Sequence, residues 1–240
     1  MRKSLLTQLI FLSALSVLGQ DLLSEVQASG SGEKEFIYQT FKGTRVVNGF
    51  SVETKGKGEL EFIIGHRFGR INSGAYNFFG WDEAYIRFGL EYGLTDRLGI
   101  GVGRSSYKKI YDGYLKYKAI QQSKGGSPIT LTWMGSTGIQ SDPTSLYPRQ
   151  SVDRDTVSLV SKLYYSTQVL IARKFSPKFS MQISPSFLHT NRLDKSTENF
   201  NQFAVGLGGR YKITKSVAIN GEYYYRVSAP DSDFYKNALA

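Results

Sequence analysis

The chain has two histidines, His66 and His189, and no cysteine. A histidine can act as general base to a serine when a third group orients it, so a lipid-active Ser/His hydrolase is the sharpest chemistry available. Neither histidine has a serine or an acid at a matching position on its own strand face. Phe68 accompanies His66 and Phe187 accompanies His189. With Trp81, these four residues fit an interfacial aromatic girdle better than a catalytic group, and the chain is not expected to be an enzyme.

Two further groups invite chemistry. Glu59 and Glu61 lie two residues apart, a spacing that puts carboxylates on one face of a strand for acid/base or metal work. Arg67, Arg87 and Lys116 would neutralise them, so an interior ion-pair network is the better reading. Gly99, Gly101 and Gly103 superficially suggest a phosphate loop, but a dinucleotide fingerprint sits between a strand and a helix, and these glycines lie within a strand. Small inward residues at Gly99, Gly101, Gly206 and Gly208 leave room for bulky neighbours. Without cysteine there are no disulfides, thiolate ligands or Cys nucleophiles. No metal and no cofactor is expected.

The elements that carry these residues are read most clearly in residues 84–105. Ala84, Ile86, Phe88, Leu90 and Tyr92 alternate with Tyr85, Arg87, Gly89, Glu91 and Gly93; after Thr95, Asp96 and Arg97, Leu98, Ile100 and Val102 alternate with glycines. That is a hairpin with one wholly apolar face. The pattern recurs at 60–68, 111–119, 129–138, 165–174, 179–187, 203–213 and 217–227, and a less regular first strand is expected over 36–47. Ten strands follow, whose connections are mostly short at one end and longer at the other. An antiparallel membrane β-barrel has this form, with short periplasmic turns and longer outer loops. A soluble sandwich is the alternative, but nearly every strand keeps a fully apolar face.

Arg2 and Lys3 precede the apolar run 4–18, and Val17 with Gly19 offers cleavage before Gln20, with a second possible cut after Ala28. The expected order is a signal peptide over 1–19, a flexible periplasmic segment over 20–35 and the barrel over 36–240. Location in the cell outer membrane follows, with the N-terminus periplasmic. Outer-membrane lipid and the barrel-assembly machinery are the expected partners.

The formal net charge is +10. No basic arm or stacking platform accompanies it, so nucleic acid is not expected as a partner. On inward faces the bases are Arg67, Arg87, Lys116, Lys118, Lys162, Lys174, Arg210, Lys212 and Arg226, and the acids are Glu59, Glu61, Glu91, Asp112 and Glu222. Nine bases against five acids leave the lumen four charges positive, which would concentrate small anionic solutes.

The stretches 56–74 (GKGELEFIIGHRFGRINSG), 90–118 (LEYGLTDRLGIGVGRSSYKKIYDGYLKYK), 170–176 (LIARKFS) and 206–214 (GLGGRYKIT) resemble the domain of unknown function 5777 family, outer-membrane β-barrels of Bacteroidota. The resemblance runs from about Phe41 to the end and implies an outer-membrane barrel without catalytic residues. The family continues with further strands, which implies about twelve in the complete protein and a C-terminal truncation here. The leading functional expectation is a narrow channel or transporter for small anions. A non-conducting structural or adhesive barrel with a charge-filled lumen is the alternative, and the lipid hydrolase is the outsider.

Overall fold

The computed structural model describes residues 35–69, 73–141, 159–191, 200–227 and, for the backbone, 237–239. The expected signal peptide over 1–19 lies outside the described residues, as do the flexible segment apart from Glu35 and most of the longer connections after the expected strands at 129–138 and 179–187. Ten strands form one antiparallel sheet in sequence order: β1 (Leu60–Phe68), β2 (Ala84–Gly93), β3 (Leu98–Ser105), β4 (Ile110–Ile120), β5 (Thr130–Gln140), β6 (Leu163–Lys174), β7 (Phe179–Thr190), β8 (Asn201–Lys212), β9 (Ala218–Arg226) and the three-residue β10 (Asn237–Leu239). Among the described residues no pairing joins β1 to β10, so the sheet is curled and has two edges.

Each strand shows its alternation as two faces. On β2 the side chains of Ala84, Ile86, Phe88, Leu90 and Tyr92 are exposed, while Gly89, Glu91 and Gly93 on the other face are buried. Phe62 is 59% exposed, Val102 59% and Ile219 62%, and all three are on the outer surface. An apolar exterior around a polar interior is the reverse of a water-soluble fold and matches a wall facing lipid. Val102→Lys, in the middle of β3, is expected to cost about 2 kcal/mol of stability in lipid. Thermal unfolding in vesicles checks this; an unchanged stability would mean that Val102 does not face acyl chains.

The registers assign the two ends. Leu94, Thr95, Asp96 and Arg97 close β2 onto β3, with Leu94 and Thr95 donating backbone N–H to the Leu98 carbonyl at 2.9 and 3.0 Å. Phe175 and Ser176 do the same with Phe179, and Ile213 and Thr214 with Val217. These tight turns, and the 121–129 connection, are all at one end. Residues 69–83, 141–162 and 191–200 connect strands at the other, where a short 3-10 turn (Tyr107–Lys109) leads into β4.

Residues 36–47 are not a strand of the wall. Their apolar side chains give the physical reason: Phe41 and Val46 are five apart, so they cannot share a face in a period of two. Residues 36–56 instead run inside the curve of the sheet, where Phe41, Val46 and Val52 are buried against Leu170 and Ala172 of β6. The strand expected over 217–227 is thus the ninth, and β10 lies beyond the last strand expected.

Candidate functional site

The inner segment is fixed by polar bonds to side chains that point inward from the wall. Residues 44–51 form a small hairpin, with Val46 N–H to the Gly49 carbonyl at 2.9 Å and Ser51 N–H to the Thr44 carbonyl at 3.0 Å. At its tip the Glu222 carboxylate of β9 accepts backbone N–H from Val47 at 3.3 Å, Asn48 at 2.9 Å and Gly49 at 2.8 Å. A Cβ at Gly49 would stand 2.4 Å from the Tyr224 hydroxyl and 3.0 Å from Glu222 Oε2, so only glycine allows this approach.

Along the descending arm the backbone carbonyls from Phe50 to Glu53 each find a partner. Val52 donates its N–H to Gln182 Oε1 of β7 at 2.9 Å, and Gln182 Nε2 donates to the Phe50 carbonyl at 2.7 Å. The Thr132 hydroxyl of β5 donates to the Val52 carbonyl at 2.9 Å. Lys116 of β4, 2% exposed, donates from Nζ to the Ser51 carbonyl at 2.8 Å and also to the Glu53 carbonyl. Arg45 lies 3.6 Å from Glu91 of β2 and 3.5 Å above the Phe50 ring. Burial pulls the Arg45 guanidinium below its ordinary value, opposed by Tyr114 and Glu91. Strands from β2 to β9 thus converge on one stretch of ten residues, which only a strongly curled sheet permits.

The segment is anchored at the tight-turn end. Ile37 N–H donates to the Gln122 carbonyl at 2.8 Å, Lys174 Nζ to the Tyr38 carbonyl at 3.1 Å, and Lys57 N–H to Asp96 Oδ1 at 3.0 Å. Both ends of the segment are therefore at the mouth with short turns, and its hairpin reaches inward from there.

The ion pairs differ from the expected network. Glu61 is met by Lys55 at 2.7 Å rather than by Arg67, Arg87 or Lys116, because the inner segment brings its own base. Glu59 lies before β1, exposed, and accepts the Gly56 N–H at 3.0 Å. Arg87 is bonded to Asp112 of β4, with Nε at 3.1 Å from Oδ1. Lys118 is 3.6 Å from Glu53. Arg210 on β8 and Arg226 on β9 are on inward positions, opposite Ser180 and Ala204 respectively. Gly101 makes room as expected, since a Cβ there would stand 2.2 Å from the Tyr114 ring; at Gly99 a Cβ would meet only the Tyr92 carbonyl at 3.6 Å, and at Gly103, not singled out for this, it would stand 2.3 Å from Arg87 Nη2.

The aromatic residues gather near the loop end. Trp81 stacks on Phe68 at 5.4 Å, and His66 meets the same ring edge-on at 4.8 Å. Phe187 packs against Phe203 of β8 at 4.9 Å. His189 has Nδ1 2.7 Å from Asn201 Oδ1 and Nε2 2.9 Å from Asn191 Oδ1.

Above the hairpin, towards the loop end, a cavity of about 420 Å³ remains, lined by Arg45, Phe50, Arg67, Phe68, Tyr85, Arg87, Ser105, Tyr107, Ile110, Asp112, Tyr114, Ser136 and Tyr164. Reasoning from periodicity missed the inner segment as the floor of this space. The one signal that could have found it is the change of parity from Phe41 to Val46, Phe50 and Val52 just before a run of regular strands.

Comparison with curated proteins and with solved structures gives no match. The family described as a membrane bound beta barrel domain matches residues 41–240, a span that takes in the inner hairpin and every strand. The chain belongs to this membrane bound beta barrel family, DUF5777.

Proposed function

We propose that this protein is an outer-membrane barrel whose lumen is closed at rest by residues 36–56, and that it acts at its loop end as a binding barrel rather than as an open anion channel. The N-terminus lies on the periplasmic side, the leader over 1–19 is removed, and lipid and the barrel-assembly machinery are its partners. One observation carries this reading. The inward groups Lys116 and Glu222, counted by residue type as lumen charge, are bonded to the chain's own backbone, as are the inward Thr132 and Gln182. A charge spent on a buried carbonyl or N–H does not attract a diffusing ion. A non-enzymatic role fits as well, since both ring nitrogens of His189 face asparagines and His66 faces Phe68.

A gated anion channel is the second reading. The segment is held largely by side-chain bonds, with both its ends at one mouth, so it could withdraw without unpairing the wall. Planar-bilayer conductance under a salt gradient tests both. The native protein is expected to be silent, and the double variant Lys116→Met, Glu222→Ala to give steps with an anion-biased reversal potential. Steps from the native protein would remove the resting-closed reading. Silence from the double variant would remove the gate.

A further inference from the structure

The cavity above the inner hairpin has a charge and a shape that the closed lumen does not use. Three arginines line it, Arg45, Arg67 and Arg87, against one acid, Asp112. Asp112 is committed to Arg87, and Arg45 faces Glu91. Arg67 has no hydrogen bond or ion pair among the described residues, and it lines the same recess as Arg87. Two guanidinium groups facing one recess with a single carboxylate between them hold an uncompensated positive charge, which a carboxylate or similar group would neutralise bidentately.

Aromatic rings form the rest of the lining. Tyr85 and Tyr107 meet edge to face at 5.0 Å, with their planes 76° apart, and Phe50 and Tyr114 do so at 4.7 Å and 67°. The Tyr85–Tyr107 pair leaves aromatic surface in the lining against which a flat apolar body can pack. A volume of about 420 Å³ is at the small end of the range for ligand sites and suits a molecule of one or two rings. We infer that this loop-side cavity binds a small organic anion with a flat body, an aromatic carboxylate, with Arg67 as the residue that takes its charge.

The inference rests on the docked hairpin as floor, since Arg45 and Phe50 belong to it, and deepens the reading of a binding barrel. Titration calorimetry of the full-length protein in detergent tests it, with isophthalate as probe. Glucuronate is the anion without a flat ring, and benzamidine the flat ring without negative charge. Saturable binding of isophthalate is expected, at least tenfold tighter than either comparator. Arg67→Gln should weaken it roughly tenfold or more, and Tyr107→Leu severalfold, while Arg104→Gln, outside the cavity lining, should leave it unchanged. Arg67 and Tyr107 are both exposed, so these variants are expected to keep the fold. Absence of saturation up to about 10 mM, equal binding of a comparator, or indifference to both Arg67→Gln and Tyr107→Leu would overturn the inference. Conductance separates this from the proposed function: a native protein that conducts yet binds isophthalate overturns resting closure alone, and one that is silent without binding overturns the site alone.

Discussion

Glu222→Ala is expected to release the tip of the inner hairpin at a cost of about 3 kcal/mol. The carboxylate accepts three consecutive backbone N–H groups, from Val47, Asn48 and Gly49, and alanine offers no acceptor in its place. Hydrogen bonds to a charged group contribute about 1.5 to 3 kcal/mol each. The sum is discounted here because Val47 and Asn48 are exposed, so water can replace part of what they lose. Amide hydrogen exchange reads the effect where it occurs: protection at residues 47–49 should fall by about two orders of magnitude, while the paired amides of β8 and β9 keep theirs. Glu222→Gln retains one acceptor oxygen and should lose about 1 kcal/mol. Unchanged exchange at the tip in the alanine variant would show that the carboxylate does not hold the hairpin.

Lys116→Met is expected to have an effect of similar size by a different route. The methionine fills nearly the same volume, so packing changes little. What it removes is a buried cation with two carbonyl partners, at Ser51 and Glu53, among the carboxylates of Glu53 and Glu91. Breaking a buried charge arrangement from one side costs about 3 to 5 kcal/mol, because the remaining groups stay desolvated without their partner. The loss falls on the docking of the segment, since the wall is held by its own ladder. Limited proteolysis in detergent should therefore cut the variant within residues 36–56 under conditions where the native chain is resistant. Heat-dependent gel mobility of the barrel should be the same for both. A variant as resistant as the native chain would assign docking to the apolar contacts of Phe41 and Val52 instead.

These two residues mark where reading the sequence succeeds and where it stops. The alternation of β2 places Glu91 and Arg87 inward and Leu90 and Phe88 outward, and the structure has them there. It works because a strand's period of two is a local property. The glycines of β3 are legible for the same reason, as gaps on the crowded face. Partners are a different matter. Lys116 and Glu222 read as lumen charges seeking opposite charges, but they bond carbonyl and N–H groups, which every residue carries and no side-chain type announces. Glu61 finds Lys55 only because the segment folds back, and residues 36–56 have no periodicity to declare it. The charge count was sound as arithmetic, yet it assumed an empty lumen.

The inner segment precedes every strand of the wall, and its tip bonds to Glu222, which lies 173 to 175 residues further along the chain. Contacts that distant require the intervening chain to be ordered before they can form, and they are slow for that reason. The first part of the barrel domain to be synthesised is thus among the last to settle. The tip of the segment is not held by Glu222 until β9 has joined the sheet and the curve has brought that side chain within reach of the hairpin. Docking of the tip is a check on completion: a wall that stops short or pairs out of register cannot offer that side chain there, and it would be left with its mouth open and a loose strand of backbone exposed to proteases.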